Sequence, residues 1–333
     1  MIENRMRHGG NVWEGGKPSQ WLDFSANLRA DGTPDWVMQT MREALVNTRY
    51  YPDRSMTAAR RGLSDYAGVL EECVLPTAGG IAAIDLALSL HRGAVYIQSP
   101  TFGGYAERAA VYGRAVYPWQ GKCAPDDTVV LCNPNNPTGR ALKRTEVLAI
   151  YAQVRQQGGE LLVDEAFIDY CEECSVRSDI TDGLIVTGSL TKTLCIPGVR
   201  LGYVCAVPQI IARMEARALS WSLCTLASAV AEKLPQHRAQ IRSDAQSNCD
   251  RREKLMQALT RLGAKVEPSQ ANFLLVDFGR DMTQTATRLK RAGVLVRTCA
   301  SFGLGARYLR LAVKNEEENK RLIALLEEDM RAR

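Results

Sequence analysis

From Val95 onward the chain alternates short β-branched runs with longer stretches of helical periodicity, and this alternation restricts its fold more than any other feature. Residues 95–98, 128–132, 160–164 and 184–188 read as buried strands, while 105–112 and 144–157 carry a helical period. Such a pattern predicts a mostly parallel sheet covered on both faces, that is, an α/β fold. Chemistry in such a sheet gathers at the carboxyl ends of the strands. After Val207 the pattern changes to long helices, 209–234 and 240–262. Strand 273–277, helix 282–292, strands 294–297 and 308–313, and an amphipathic helix 316–330 then read as a smaller α/β domain packed on the first.

A length of 333 residues at 46% apolar composition is enough for two domains or one large one. The 42 basic and 37 acidic residues are spread without a block of like charge, which argues against a nucleic-acid or membrane surface and suits a small anionic substrate. The longest apolar stretch, 81–90, is interrupted by Asp85 and is too short to span a bilayer. Ten cysteines lack framework spacing and residues 1–7 lack an apolar secretory segment, so reduced thiols in the cytoplasm are expected. Cys171 and Cys174 form a lone C-E-E-C, and only His8, His91 and His237 are available as imidazoles, so no metal site is expected.

Three segments carry chemistry. S-L-T-K-T-L-C-I-P-G-V-R-L-G-Y, from Ser189 to Tyr203, follows a predicted strand. A lysine there is partly desolvated, which lowers its pKa and frees the Lys192 amine for imine formation. Ser189 and Arg200 are placed to grip one phosphate, unless Lys192 and Arg200 are unrelated surface residues. N-P-N-N-P-T-G at 133–139 is a rigid turn after strand 128–132, able to hold the Asn136 amide in one direction. V-D-E-A-F at 163–167 puts Asp164 at a strand end, where a buried carboxylate requires a cationic partner.

In this order the three segments resemble the fold-type-I pyridoxal-phosphate enzymes, and the resemblance runs over most of the chain. It implies the aspartate-aminotransferase-like fold and pyridoxal 5'-phosphate as cofactor. By that similarity Lys192 holds the cofactor as a Schiff base, Asp164 pairs with the ring nitrogen, Asn136 donates to the ring 3-oxygen, and Ser189 with Arg200 binds the phosphate. Phe102, in P-T-F, is implied to stack on the ring, with a plain core phenylalanine as the competing reading. Ala78, Gly79 and Gly80 precede a predicted helix and match the family's phosphate turn. Tyr51, in R-Y-Y-P-D, matches the tyrosine that family dimers lend across the interface, which implies a homodimer. The implied domains are an N-terminal segment 1–34 joining the small domain and the site, a cofactor-binding domain 35–230 and a small domain 231–333.

H-G-G-N at 8–11, L-D-F-S-A-N at 22–27 and D-E-A-F-I-D-Y at 164–170 resemble the threonine-phosphate decarboxylases of cobamide biosynthesis, relatives of the histidinol-phosphate aminotransferases. Phe167 stands where the related aminotransferases commonly have tyrosine. Arg297 and Arg310 end neighbouring predicted strands; the resemblance makes Arg310 the α-carboxylate arginine, while Arg297 with His8 and Asn27 is the choice for a substrate phosphate. Structural salt bridges are the alternative for both arginines. L-R-A-D-G follows Asn27 where the decarboxylases have N-P-L-G, so Arg29 near the substrate opening marks a possible change of substrate, with O-phosphoserine the candidate beside O-phosphothreonine. An aminotransferase on the same scaffold is the rival reading, and a non-catalytic cofactor-sensing regulator a remote one.

Overall fold

In the computed structural model, which describes residues 9–14 and 16–331, the alternating runs become one wide sheet. After a two-residue strand β1 (Leu22–Asp23) come β2 (Val74–Thr77), β3 (Val95–Ile97), β4 (Val116–Pro118), β5 (Thr128–Cys132), β6 (Glu160–Asp164), β7 (Leu184–Ser189) and β8 (Gly202–Cys205). These seven lie in the order β2-β8-β7-β6-β5-β3-β4. All pairings from β7 to β4 are parallel, and β8 alone runs against its neighbours. Every residue of β5, β6 and β7 is buried, which is why these strands read as continuous apolar runs and not as alternating ones. Their side chains divide by parity: Val129, Leu161 and Val186 enter one core layer, Val130, Leu162 and Ile185 the other.

The second sheet is built from β9 (Lys265–Val266), β10 (Phe273–Asp277), β12 (Arg297–Thr298) and β13 (Tyr308–Ala312), antiparallel in the order β12-β13-β10-β9, while β11 (Val294–Leu295) pairs with β1. A separate core of Phe24, Leu255, Leu274, Leu311 and Leu322 lies under it. The N-terminal segment is therefore tied into the smaller unit through Phe24 and β1. The expected strand 294–297 is in fact two strands in two sheets, interrupted at Val296.

The expected helix 209–234 is also two, Pro208–Glu215 and Thr225–Lys233. Between them Trp221 takes a left-handed backbone (φ 55°), which a right-handed helix does not contain, and Cys224 Sγ accepts from the amide of Ala227 to start the second helix. Residue 230, taken as the domain limit, falls inside that helix, whose Ala227, Val230 and Ala231 pack in the larger unit's core. No helix among the described residues is long and apolar enough to cross a membrane. All ten cysteines are free.

Candidate active site

Three strand ends meet at one place. Register puts Cys132 of β5 beside Asp164 of β6, and Asp164 beside Thr187 of β7, so the turn 133–139, Asp164 and the Ser189 to Lys192 segment open on the same edge of the sheet. The turn is fixed by its own side chains. Asn133 bonds both ways with the backbone of Leu142, and Asn135 Nδ2 donates to Pro100 O at 3.0 Å and to Thr138 Oγ1 at 2.9 Å. Asn136 is left to face a cleft of about 440 Å³ that also receives Asn27, Phe102, Asp164, Lys192 and Arg310.

Asp164 is 4% exposed. Burial raises its pKa, opposed by the Tyr105 hydroxyl, which donates to Oδ2 at 2.6 Å, and by the Ala166 amide at 3.1 Å from Oδ1. Burial, then the charges of Arg310 and Arg200, push the Lys192 amine down to about 8 against the pull of Asp164. An amine in that state is a nucleophile near neutral pH.

Of the residues expected at a phosphate, Ser189 and Arg200 lie on the cleft wall together with Thr191, the Ser189 and Thr191 hydroxyls 2.8 Å apart. Gly80 is the first residue of helix Gly80–Leu88 and lines the cleft, whereas Ala78 and Gly79 do not. The Gly79 amide donates to Thr77 O at 2.7 Å, so it is not available to a phosphate. Gly79 contributes instead by lacking a side chain: its φ is 85°, and a Cβ there would lie 2.5 Å from the Arg200 guanidinium.

The opposite wall comes from the small sheet. Arg297 and Arg310 are direct cross-strand neighbours, 8% and 5% exposed, and among the described residues neither forms an ion pair. Arg310 donates to Asn136 Oδ1 at 2.7 Å and to Ser25 O at 2.5 Å, which orients Asn136 with its Nδ2 free to donate. Arg297 donates to Ser301 Oγ at 2.6 Å. The Phe302 ring lies 5.3 Å from one guanidinium and 5.8 Å from the other, so an aromatic face offsets part of their mutual repulsion. Burial lowers the pKa of both, and for Arg310 the charge of Arg297 adds to the effect. Asp23 acts on Arg310 only at a distance, and two buried cations without a close ion pair among the described residues suit an anionic ligand.

Asn27 lies on this wall with Oδ1 buried and unpartnered. His8 falls outside the described residues. Arg29 does not line the cleft; its Nε and Nη2 grip Asp244 at 2.9 and 3.0 Å. Phe167 lines the cleft and packs edge-on against Phe273 at 5.0 Å. Phe102 lines it too, its ring edge-on to Tyr105 at 5.4 Å. Tyr51 is 81% exposed, lies against Trp221 at 4.9 Å, and does not line the cleft of its own chain.

Tyr105, Thr191, Ser301 and Phe302 escaped the sequence reading. Thr191, Ser301 and Phe302 lie inside motifs already singled out, where a hydroxyl beside Ser189 and an aromatic beside Arg297 are the available signals. Tyr105 has none, because its contact with Asp164 joins residues 59 apart.

A nucleophilic lysine, a buried carboxylate one strand away, a free amide donor and a hydroxyl-guanidinium corner fit pyridoxal phosphate. The chain matches the model of the family described as aminotransferase class I and II over residues 19–326. It is 32% identical to the threonine-phosphate decarboxylase of Salmonella typhimurium, over 96% of this chain and 95% of that protein. It is 30% identical over 96% of its length to the adenosylcobalamin biosynthesis bifunctional protein of Leptospira interrogans, of which it spans only 40%. The solved structure of L-threonine-O-3-phosphate decarboxylase from Porphyromonas gingivalis matches with a TM-score of 0.84 at 26% identity, covering 92% of this chain and 99% of that one.

Proposed function

The chain belongs to the aminotransferase class I and II family, and on that premise we propose that it is a lyase that removes the carboxylate of an O-phospho amino acid, L-threonine O-3-phosphate or L-serine O-phosphate. Its cofactor is pyridoxal 5'-phosphate. The product is an amino-alcohol phosphate for the nucleotide loop of a cobamide. One observation carries the reading: Arg297 and Arg310, adjacent, buried and without an ion pair among the described residues, face the cleft that holds Lys192 and Asp164. A substrate with a carboxylate and a phosphate supplies both missing anions. Histidinol phosphate supplies only one. Relatives named threonine-phosphate decarboxylase support this choice, while others of similar identity are named histidinol-phosphate aminotransferase.

When bound, pyridoxal phosphate supplies the electron sink that carbanion chemistry at an amino acid's α-carbon requires. Lys192 holds the cofactor and its amine returns a proton to the substrate α-carbon. Asp164 would pair with the ring nitrogen, Asn136 Nδ2 would donate to the 3-oxygen, and Ser189, Thr191, Arg200 and the start of helix Gly80–Leu88 would hold the cofactor phosphate. Arg310 would hold the α-carboxylate, and Arg297 with Asn27 the substrate phosphate, where the sequence resemblance alone adds His8. Two anchors at opposite ends fix which α-bond stands across the ring, and that orientation selects carbon dioxide loss over proton loss.

The test supplies O-phosphothreonine, O-phosphoserine and histidinol phosphate separately, with and without 2-oxoglutarate, and follows carbon dioxide, amine phosphate and glutamate. Carbon dioxide from a phospho amino acid without a keto acid is the expected result. Glutamate from histidinol phosphate, with no carbon dioxide from either phospho amino acid, would establish the aminotransferase instead.

We place Tyr51 at the cofactor phosphate of a second copy, because a ring 81% exposed that lies against the exposed Trp221 suits an interface better than solvent. Mixed Lys192→Ala and Tyr51→Phe proteins, each impaired alone, should regain activity through one intact site per dimer. No recovery despite subunit exchange excludes the shared site.

A further inference from the structure

We propose that Tyr105 is the positioning residue for Asp164, holding its carboxylate ionised and turned toward a cationic ring nitrogen. The proposal rests on the pyridoxal phosphate reading of the cleft and deepens it. Tyr105 is 0% exposed and absent from the cleft wall, so it touches neither substrate nor cofactor. A phenol so buried requires a partner, and Tyr105 donates to Asp164 Oδ2 at 2.6 Å.

The two carboxylate oxygens are thus held from two directions, Oδ2 by helix Gly104–Val111 through Tyr105 and Oδ1 by the adjoining backbone through Ala166. A single anchor would let the carboxylate turn about its Cβ–Cγ bond. Two anchors fix its plane while leaving lone pairs for a ligand. Both bonds also favour the charged form, against the burial that raises the pKa of Asp164. Burial drives the Tyr105 hydroxyl well above its ordinary value, so it keeps its proton and remains a donor.

The other titratable groups facing Asp164 are Cys132 from β5 and Lys192 from the segment after β7. The Cys132 thiol, pushed up to about 12 by burial, stays neutral across the acid range, and Lys192 stays cationic there. Lys192 and the free cofactor's own phosphate titrate alike in wild type and Tyr105→Phe, so the difference between their acid limbs reports on Asp164.

The test measures the dissociation constant of pyridoxal phosphate from the full chain, by quenching of protein fluorescence, from about pH 5 to about pH 8. Wild type, Tyr105→Phe, Asp164→Asn and the double variant are compared. Tyr105→Phe should weaken binding about tenfold and move the acid limb to higher pH, because a carboxylate that has lost a donor protonates more readily. In the Asp164→Asn background the same change should cost less than about twofold. Equal losses in both backgrounds, or an unmoved acid limb, would overturn the proposal and leave Tyr105 a packing residue. Should Tyr105→Phe not fold, Tyr105→3-fluorotyrosine keeps the shape and strengthens the donor. Its acid limb should then move to lower pH, and no movement overturns the proposal equally. Failure of the wild type to bind pyridoxal phosphate at all would instead remove the reading on which the proposal stands.

Discussion

Strand β6 carries a buried carboxylate at each end, and the two ends treat it differently. Glu160, at the start, meets His91 Nε2 at 3.2 Å, while the other ring nitrogen of His91 meets Asp126 at 2.7 Å, and the buried Arg114 adds a cationic field to the same corner. Arg114 spends its hydrogen bonds on neutral acceptors, the carbonyls of Leu88, Gly93 and Ala94 and the Thr128 hydroxyl. Asp164, at the finish, receives donors from Tyr105 and Ala166 but no ion pair, and its nearest cation is a lysine whose own charge is weakened. Charge is balanced inside the chain at one end of the strand. At the other it is left for a ligand, and this asymmetry is what separates a structural carboxylate from a functional one.

Exchanging each acid for its amide is the strongest way to break that comparison. Asp164→Asn should lower carbon dioxide release by about 10² to 10³ or more, with the fold intact, because the ionised group facing the reacting ring is gone. Glu160→Gln should leave turnover within about twofold and cost about 1 to 3 kcal/mol of stability by stripping His91 of a buried partner. Turnover and thermal unfolding measured on both variants decide. Comparable loss of turnover in Glu160→Gln would mean that the two ends are coupled and the contrast is wrong.

A second, smaller effect sharpens the view of Lys192 as the reactive amine at the open end. With its pKa lowered to about 8, chiefly by burial, the neutral fraction of the amine grows roughly tenfold per pH unit below that value and levels off above it. The rate at which cofactor-free protein takes up pyridoxal phosphate, followed by the visible band that borohydride abolishes, should rise with pH and flatten above about 8. A rate still climbing toward the ordinary lysine value of 10.5 would show an unperturbed amine.

How far the site could be read from the sequence follows from where its parts sit along the chain. Asn136, Asp164, Ser189 and Lys192 each lie within a few residues of a strand that announces itself by composition, so a motif and a place in the fold arrive together. Arg297 and Arg310 were legible as candidates, but their adjacency depends on β12 bending away from β11 at Val296, which no local pattern encodes. The closed end of β6 was not legible at all. His91, Asp126 and Glu160 come from three separate loops and strand starts, and a histidine with acids far away in sequence looks like any other surface residue. Strand β8 overlaps the end of the lysine motif and is hard to read because G-Y-V-C is short and begins on a glycine. The ion pair that keeps Arg29 off the cleft was not legible either, because its partner, Asp244, is 215 residues away.

The smallest effect expected belongs to that closed end. His91 has its pKa raised above the ordinary 6.5, first by the bond to Glu160, with Asp126 adding to it. A group whose folded pKa exceeds its unfolded value stabilises most when protonated. Its contribution is therefore complete below 6.5 and is lost as pH rises through the higher folded value. Asp126 has its pKa lowered from 3.8, first by the same histidine, so its share is complete above 3.8 and lost as pH falls through the lower folded value. The clip is consequently strongest in the window between them. Asp126 is half exposed, so solvent screens its part, and the whole clip is worth only about 1 kcal/mol. The measurement is the stability difference between wild type and His91→Gln, taken by denaturant unfolding at about pH 5.5 and about pH 8.5. The difference should favour the wild type at the lower pH and shrink at the higher one, while carbon dioxide release stays the same in both proteins. A difference that grows with pH would mean that His91 is buried as the neutral ring, and the charge balance drawn for the start of β6 would then be wrong.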